Sequence, residues 1–249
     1  MKCFGATDTG LVRPSNQDSY VIATNEAGDV FAMVADGIGG GNSGDVASQT
    51  AVQYFSDVFS QNKGFRDEEE ALTWLKYHIR KANEEIFCLS TTRKDYKGMG
   101  TTLVGILMIP QGCYVVNVGD SRGYATLKDG SFIRLTQDHT LVQEMLSRGE
   151  ITEEQMKNHP KRNMLTNALG IWSNIRIDCD RIDDDAQILL LCSDGLHGYV
   201  QDEVIAKVLR DEKLSLQNRG KQLMNLALFQ GGYDNITIIL IQKEAGDQR

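Results

Sequence analysis

Aspartates at the ends of apolar, strand-like runs are the residues of this sequence best suited to chemistry, and each stands beside Gly, Ser or Asn. They are Asp18, Asp36, Asp120, Asp194 and Asp234. A single Asp-Gly pair is usually a turn, but turns do not explain why each acid borders a buried strand, where gathered carboxylates repel one another unless cations offset their charge. Hard divalent cations such as Mg²⁺ and Mn²⁺ prefer carboxylate ligands of this kind. The spacing therefore predicts a metal cluster.

Strand-like segments rich in β-branched residues must position these acids. They are residues 19–23, 30–35, 102–109, 114–118, 124–127, 132–135, 188–192 and 236–241. Helical periodicity occurs at about residues 45–59, 68–89, 202–209 and 216–229. Short turns join several of the strands directly, and strands and helices are segregated along the chain. We therefore expect an α+β layered fold with largely antiparallel sheets.

Residues 1–249 are predicted to form one domain, because the sequence has no repeat, low-complexity tract or linker. The polar segment 138–169 is an exception within it, with two short helical patterns and a basic cluster that includes Arg162. Such a segment is typical of a surface excursion near a site. Its histidines, His139 and His159, are candidates for contacting substrate or protonating a leaving group.

Composition excludes several classes of function. The 26 basic and 34 acidic side chains give a net charge of −8, which argues against a nucleic-acid binder. Apolar stretches are far shorter than the ~20 residues that cross a bilayer, and the N-terminus lacks an apolar signal segment, so we expect no membrane span and a cytoplasmic location. Five cysteines, none close to another in sequence, indicate reduced thiols.

Other catalytic motifs fit poorly. Residues 39–44 match the dinucleotide-binding pattern G-x-G-x-x-G, but two helical segments follow, where that motif needs a short crossover to a parallel strand. Residues 119–123 match the nucleophile elbow G-x-S-x-G, yet a strand follows Ser121 instead of a helix. Four residues separate Cys88 from Arg93, one too few for a cysteine phosphatase loop, and no P-loop motif is present.

Seven sequence blocks resemble the metal-dependent protein phosphatases of the protein phosphatase 2C type, in the compact bacterial form. They run in the family's order along nearly the whole chain. They are TDTGLVRPSNQD (7–18), VADGIGG (34–40), GMGTT (98–102), VGDSR (118–122), LTQDH (135–139), CSDGL (192–196) and GYDNIT (232–237). The resemblance implies an α-β-β-α sandwich with two central antiparallel sheets, and a binuclear Mn²⁺ or Mg²⁺ centre at one edge.

The resemblance assigns ligand roles by matching positions. Asp36 would bridge both ions, and Gly37 would supply its backbone carbonyl to one of them. Asp194 and Asp234 would complete the other ion. Asp120 matches the acid that helps to bind a third, weaker metal in bacterial members.

Further positions carry the expected phosphate chemistry. Arg13 matches the family's phosphate-holding arginine, whose planar fork suits two phosphate oxygens, and Asp18 would hold metal-bound waters. Segment 138–169 corresponds to the flap beside the active site. Gln17 replaces a glutamate common in the family, and Ile38 replaces the histidine proposed as general acid in eukaryotic members, so water held by the metals is the expected proton donor.

The implied activity is hydrolysis of phosphoserine and phosphothreonine in proteins by metal-activated water, reversing a cognate serine/threonine kinase, in a monomer. Two alternatives stay open. A pseudophosphatase would bind phosphorylated partners without turnover, although no candidate metal-binding aspartate is missing. A metal phosphohydrolase acting on small metabolites would use the same ligands, because the attacking water is indifferent to the leaving group.

Overall fold

Strands that are apolar on both faces build two sheets in the computed structural model, which describes residues 1–39 and 43–243. Gly40, which belongs to the second resemblance block, lies outside the described residues with the rest of 40–42 and with 244–249. The first sheet runs in the order β1 (Lys2–Asp8), β11 (Ile236–Gln242), β10 (Ala186–Cys192), β7 (Arg122–Leu127), β8 (Phe132–Arg134). The second runs β2 (Asp18–Thr24), β3 (Val30–Ile38), β5 (Leu103–Ile109), β6 (Gly112–Val118), β9 (Asp178–Arg181), with β4 (Gly100–Thr101) paired to the end of β3.

Seven helices are present in the described part of the chain. They are α1 (Gly44–Ser60), α2 (Glu68–Thr92), α3 (Leu141–Ser147), α4 (Glu153–Lys157), α5 (Asp194–His197), α6 (Asp202–Leu209) and α7 (Leu216–Phe229). Helix α2 begins where Asp67 accepts a hydrogen bond from the Glu70 amide, and three glutamates in its first turn favour the positive end of the helix dipole.

Three apolar cores separate four layers. Along β3, Phe31 and Met33 face the core shared with α1 and α2, whereas Ala32 and Val34 face the core between the sheets. Strand β11 alternates in the same way between the central core and a third core shared with α6 and α7. This period-two burial on both faces explains why the strands are almost continuously apolar. The layer order is helix, sheet, sheet, helix, and the described strand pairs are all antiparallel.

The α+β class and the antiparallel sheets are confirmed, and every strand and long helix predicted from periodicity is present within about four residues of its predicted ends. The short strands β4 and β9 and the N-terminal β1 escaped prediction. Strand β1 pairs only with β11 and is mostly exposed or half-buried, so it lacks an apolar signal. The five cysteines, all within the described residues, are free thiols. No helix in 1–39 or 43–243 has the length and apolarity needed to span a membrane.

Candidate metal and phosphate site

The five predicted aspartates converge at one edge of the two sheets. Asp18 opens β2 and pairs in register with Asp36 near the end of β3. Asp120 follows β6, Asp194 begins α5 directly after β10, and Asp234 precedes β11. Antiparallel pairing brings these strand ends together although they are spread over more than two hundred residues of chain.

Burial and, after it, mutual repulsion raise the pKa values of Asp18, Asp36, Asp120 and Asp194. Burial is the largest cause for Asp36, whose pKa lies well above the ordinary 3.8, and the charges of the other four aspartates add to it. The pKa of Asp194 is raised for the same reasons, with Asp120 and Asp234 the largest charge contributions. The five side chains therefore lie within electrostatic reach of one another, which is the arrangement that divalent cations offset.

Asp18 shows the strongest sign of an additional polar partner. Its Oδ2 accepts a hydrogen bond of 2.7 Å from Ser193 Oγ, while its Oδ1 is buried with no hydrogen-bond partner among the described residues. Burial raises the pKa of Asp18 to about 6. A buried carboxylate oxygen without a donor costs on the order of 1–3 kcal/mol, so this atom is suited to accept from a water or to face a cation.

Thr102 and Gly37 fix the backbone around Asp36. The Asp36 amide donates to Thr102 Oγ1 at 3.0 Å, and the Asp36 carbonyl accepts from the Thr102 amide at 2.9 Å. At Gly37 an added Cβ would overlap the backbone oxygens of Gln17 and Gly44. Only glycine lets β3 run this close to the start of α1 and to the segment before β2.

Arg13 and Asp234 form the outer part of the site. Arg13 Nη2 donates to Asp234 Oδ2 at 2.7 Å, with side-chain exposures of 53% and 23%. The other oxygen of Asp234 accepts from the Asn235 amide at 2.9 Å. An exposed pair of this kind contributes about 0.2–1 kcal/mol, so Arg13 can exchange Asp234 for a phosphate at little cost.

Asn235 belongs to the sequence block GYDNIT (232–237), but its role in the site was not predicted from the sequence. Its Nδ2 donates to the carbonyls of Thr9 and Ser15, and its Oδ1 accepts from the Gln17 amide. These three hydrogen bonds hold the loop that carries Arg13 against the start of β11. No periodicity could have shown this, because the partners are more than two hundred residues away.

Asp120 lies on a turn held by buried side chains. Gly119 has φ +114°, and an added Cβ would lie 2.7 Å from Thr102 Cγ2, so the turn requires glycine. Asn117 Nδ2 donates to the Gly119 carbonyl, and His197 Nε2 donates to the Asp120 carbonyl at 3.0 Å. Burial raises the pKa of Asp120 to about 7, and the charge of Asp138 adds to this effect.

His139 is a structural residue, which corrects the expectation that it contacts substrate or protonates the leaving group. Its side chain is fully buried. Nδ1 accepts from the Gly119 amide at 3.2 Å and from Asn167 Nδ2 at 2.7 Å, which leaves the ring proton on Nε2 for Asp178 Oδ2 at 2.9 Å. Burial lowers the pKa of His139, so the ring stays neutral while it joins the Asp120 turn to the base of segment 138–169.

Hydrogen bonds and ion pairs hold the ends of segment 138–169 beside the site. The His139 carbonyl accepts from the Thr166 amide and the Met164 carbonyl from the Leu141 amide, which closes the segment at its two ends. Asp138 is held by Arg122 at 2.7 Å and by Arg134. His159 lies in the outer part, where its Nδ1 accepts from the Lys161 amide.

The carboxylate oxygens of the cluster suit divalent cations, and a bound cation would offset the repulsion among them. The side chains do not, however, enclose a single ion in this structure. Within residues 1–39 and 43–243, no three Asp, Glu, His or Cys side chains are arranged to surround one ion. One physical reason for the open arrangement is that the Asp234 carboxylate is paired with Arg13 in this structure. The unpartnered Asp18 oxygen and the raised pKa values of Asp36 and Asp194 nevertheless mark a site with excess negative charge.

Comparisons with known proteins agree along nearly the whole chain. The family model for protein phosphatase 2C matches residues 13–228. The serine/threonine phosphatase stp of Listeria monocytogenes serotype 4b (strain F2365) is 38% identical over 239 residues, covering 96% of this chain and 94% of that protein. The serine/threonine protein phosphatase PstP of Mycobacterium tuberculosis H37Rv is 35% identical over 94% of this chain and 43% of its own length.

Solved structures show the same architecture. Serine/threonine phosphatase Stp1 from Staphylococcus aureus superposes with a TM-score of 0.91 at 32% identity, covering 98% of this chain and 95% of that one. The Mycobacterium tuberculosis phosphatase PstP/Ppp gives a TM-score of 0.85 at 33% identity, covering 98% and 99%. On the family match, the identities and the shared fold, the chain belongs to the protein phosphatase 2C family and is a phosphoprotein phosphatase.

Proposed function

We propose that this chain hydrolyses phosphoserine and phosphothreonine in proteins with water activated by Mn²⁺ or Mg²⁺. The observation that carries the proposal is the convergence of five aspartates at one edge of the two sheets, where their charges act on one another, beside an exposed arginine. Asp36, Asp194, Asp234 and the Gly37 carbonyl would hold two ions, and Asp120 would contribute to a third, weaker site. When bound, such ions lower the pKa of water and offset phosphoryl charge.

Arg13 binds and orients the phosphoryl group in this proposal. Its guanidinium presents parallel donors to two phosphate oxygens, and its pairing with Asp234 places it beside the acids. Release from Asp234 is inexpensive because the pair is exposed. Arg13 thus offsets the charge that the phosphoryl oxygens carry in the transition state.

Asp18 holds and orients the attacking water. Its free Oδ1 is an acceptor aimed at no other described group, and Ser193 fixes the opposite oxygen. A carboxylate that is locked by one oxygen directs the other without losing side-chain freedom on binding. Ile38 cannot donate a proton, so the leaving group is protonated by water.

The wider setting is part of the same proposal. We propose one domain over residues 1–249 with a flap at 138–169, acting as a monomer. The five free thiols support a reducing compartment such as the cytoplasm. The substrates would be the products of a cognate serine/threonine kinase.

Turnover of a phosphothreonine peptide tests the proposal. We expect activity with Mn²⁺, loss in excess chelator and recovery on adding Mn²⁺ back. Asp36→Asn and Asp194→Asn should lower kcat at least 100-fold and reduce the Mn²⁺ binding seen by calorimetry, with unchanged circular dichroism. The matched control is Asp29→Asn, a buried aspartate at the opposite end of the same β2–β3 hairpin. Full turnover in chelator, or near-normal rates in either active-site variant, contradicts the proposal.

Two rival functions give different results in the same assay. A pseudophosphatase binds the phosphopeptide without releasing phosphate. A phosphohydrolase for small metabolites cleaves small phosphate esters, and phosphopeptide does not compete. The exposure of Arg13 favours a macromolecular substrate, since a small-ester enzyme gains by enclosing its ligand.

A further inference from the structure

Four exposed apolar or aromatic side chains lie around Arg13. They are Leu11, Val12, Tyr199 and Tyr233, and we call them the tyrosine shelf; their exposures are 71%, 59%, 40% and 53%. They come from the segment before Arg13, the segment after α5 and the turn before Asp234. Exposed apolar side chains ordinarily stand singly on a surface, so a group of four beside one functional residue is informative.

Direct contacts fix the ring pair and the position of Leu11. The rings of Tyr199 and Tyr233 lie with centroids 5.5 Å apart at 34°. The Leu11 amide donates to the Gly232 carbonyl at 2.7 Å, and Gly232, with φ +51°, has no side chain to displace Leu11, whose Cγ would lie 2.9 Å from an added Cβ. The ring pair and Leu11 are thus each held in a defined position, and Gly232 next to Tyr233 joins the two parts through the backbone.

Tyr199 of the shelf lies within electrostatic reach of Arg13 and of segment 138–169. The pKa of Tyr199 is raised, by burial first and then by the charges of Asp194 and Asp234. The charges of Arg13 and Arg162 oppose this shift without cancelling it. The charges of the carboxylate cluster and of Arg162 in segment 138–169 therefore both act at the Tyr199 end of the shelf. Because Val12 precedes Arg13 in the chain and Tyr233 precedes Asp234, the ion-pair partner of Arg13, a phosphate bound by Arg13 would lie near the shelf.

The core does not account for the two tyrosines. The apolar core beside α5 to α7 is formed by Leu196, Val200 and other side chains, and neither Tyr199 nor Tyr233 belongs to it. The ring pair leaves about half of each side chain in contact with solvent. Two large rings kept at the surface beside a binding residue are suited to cover a ligand.

We propose that the tyrosine shelf binds an apolar or aromatic side chain adjacent to the phosphorylated residue of a protein substrate. The inference rests on the proposed function, since it takes Arg13 as the phosphate ligand. Consecutive residues of an extended chain are about 3.3–3.6 Å apart, so a phosphoresidue on Arg13 brings its neighbours over Val12 and the rings. The substrate class is phosphoserine or phosphothreonine segments with apolar flanking residues.

The test uses three phosphothreonine peptides that differ only in the residues flanking phosphothreonine, which are Phe, Gly or Glu. With the Mn²⁺-loaded full chain we expect kcat/KM to favour the Phe peptide over the Gly peptide about tenfold, mainly through KM. In Tyr199→Ala, Tyr233→Ala and the double variant this ratio should fall toward one. The matched control is Tyr77→Ala on α2, whose side chain is as exposed as Tyr233 and lies outside the shelf.

Each outcome decides the inference. A wild-type ratio near one, or a ratio that survives in the double variant, overturns the shelf while leaving the proposed function in place. Absence of turnover for all three peptides overturns the proposed function and the shelf with it. Circular dichroism of each variant reports folding, and Tyr199→Gln with Tyr233→Gln supplies a second pair of variants, with the same expected loss of the Phe preference, if the alanine variants unfold.

Discussion

Burial acts in opposite directions on the acids and the histidines of the site. It raises the pKa of Asp18 to about 6, and it lowers the pKa of His197 to about 3. In both cases the protein disfavours the charged form. The histidines thus remain neutral hydrogen-bonding groups, whereas the aspartates are left as acids that a cation can recruit.

His139 gives the prediction at this scale. His139→Leu removes the partner of the Gly119 amide, of Asn167 and of Asp178. Because stranded buried polar groups cost on the order of 1–3 kcal/mol each, we expect the free energy of unfolding to fall by about 3 kcal/mol in urea titrations. His159→Leu, in the outer part of segment 138–169, should change it by less than about 0.5 kcal/mol. Equal stabilities of the two variants would refute the structural role of His139.

At the level of elements, the β2–β3 hairpin is the part of the fold on which the site depends most. Its register places Asp18 opposite Asp36, and its far end turns at Asp29. The open end is packed against the start of α1, where Gly37 passes the Gly44 carbonyl. A small change in this contact moves two aspartates together, since both belong to one ladder.

Gly37→Ala tests this dependence. The added methyl overlaps two backbone oxygens that cannot rotate away, so we expect at least ~2 kcal/mol lower stability and a more than tenfold loss of kcat. Gly28→Ala, at the turn of the same hairpin, meets nothing within 4 Å and has only its positive φ to accommodate. That control should cost about 1 kcal/mol and keep kcat. Wild-type kcat in Gly37→Ala would show that the close approach is not required.

When no cation is bound, the ionised aspartates of the site repel one another and lower the stability of the whole molecule. Asp18 and Asp120 have pKa values of about 6 and about 7, and those of Asp36 and Asp194 are raised as well. Between pH 4 and 7 these four aspartates therefore bind more protons in the folded state than in the unfolded state. Stability from these groups is complete below pH 4 and is lost as pH rises through the folded-state pKa values.

Thermal unfolding in the presence and absence of Mn²⁺ tests this balance. In excess chelator we expect the Tm to be lower at pH 8 than at pH 6.5, a range in which the buried aspartates lose protons and the histidines are mostly neutral in both folded and unfolded chains. Mn²⁺ should raise the Tm more at pH 8, because it binds ionised carboxylates of the folded state. Asp138, whose pKa is lowered, and the buried His197 and His139, whose pKa values are also lowered, act in the opposite sense only below about pH 6.5. A Tm that rises with pH in chelator, or ignores Mn²⁺ at pH 8, would contradict a repelling acidic cluster.

The sequence by itself determined the α+β class, the main strands and helices, and the identity of the acids at the strand ends. Those features are local, because periodicity reports which faces are buried and a short Asp-Gly step reports where a strand stops. Arg13 and Gly37 became candidates only through the family resemblance. Their neighbours in space were not readable from spacing.

Tertiary structure alone decided the pairings that make the site. Asn235 fastens the Arg13 loop, His139 is a buried hub instead of a reactive group, and Tyr199 meets Tyr233. Each of these joins segments that are distant along the chain, where one residue's type carries no record of its partner. Only the packing of two antiparallel sheets sets those distances, so contact, burial and pKa are properties of the folded molecule and not of the local sequence.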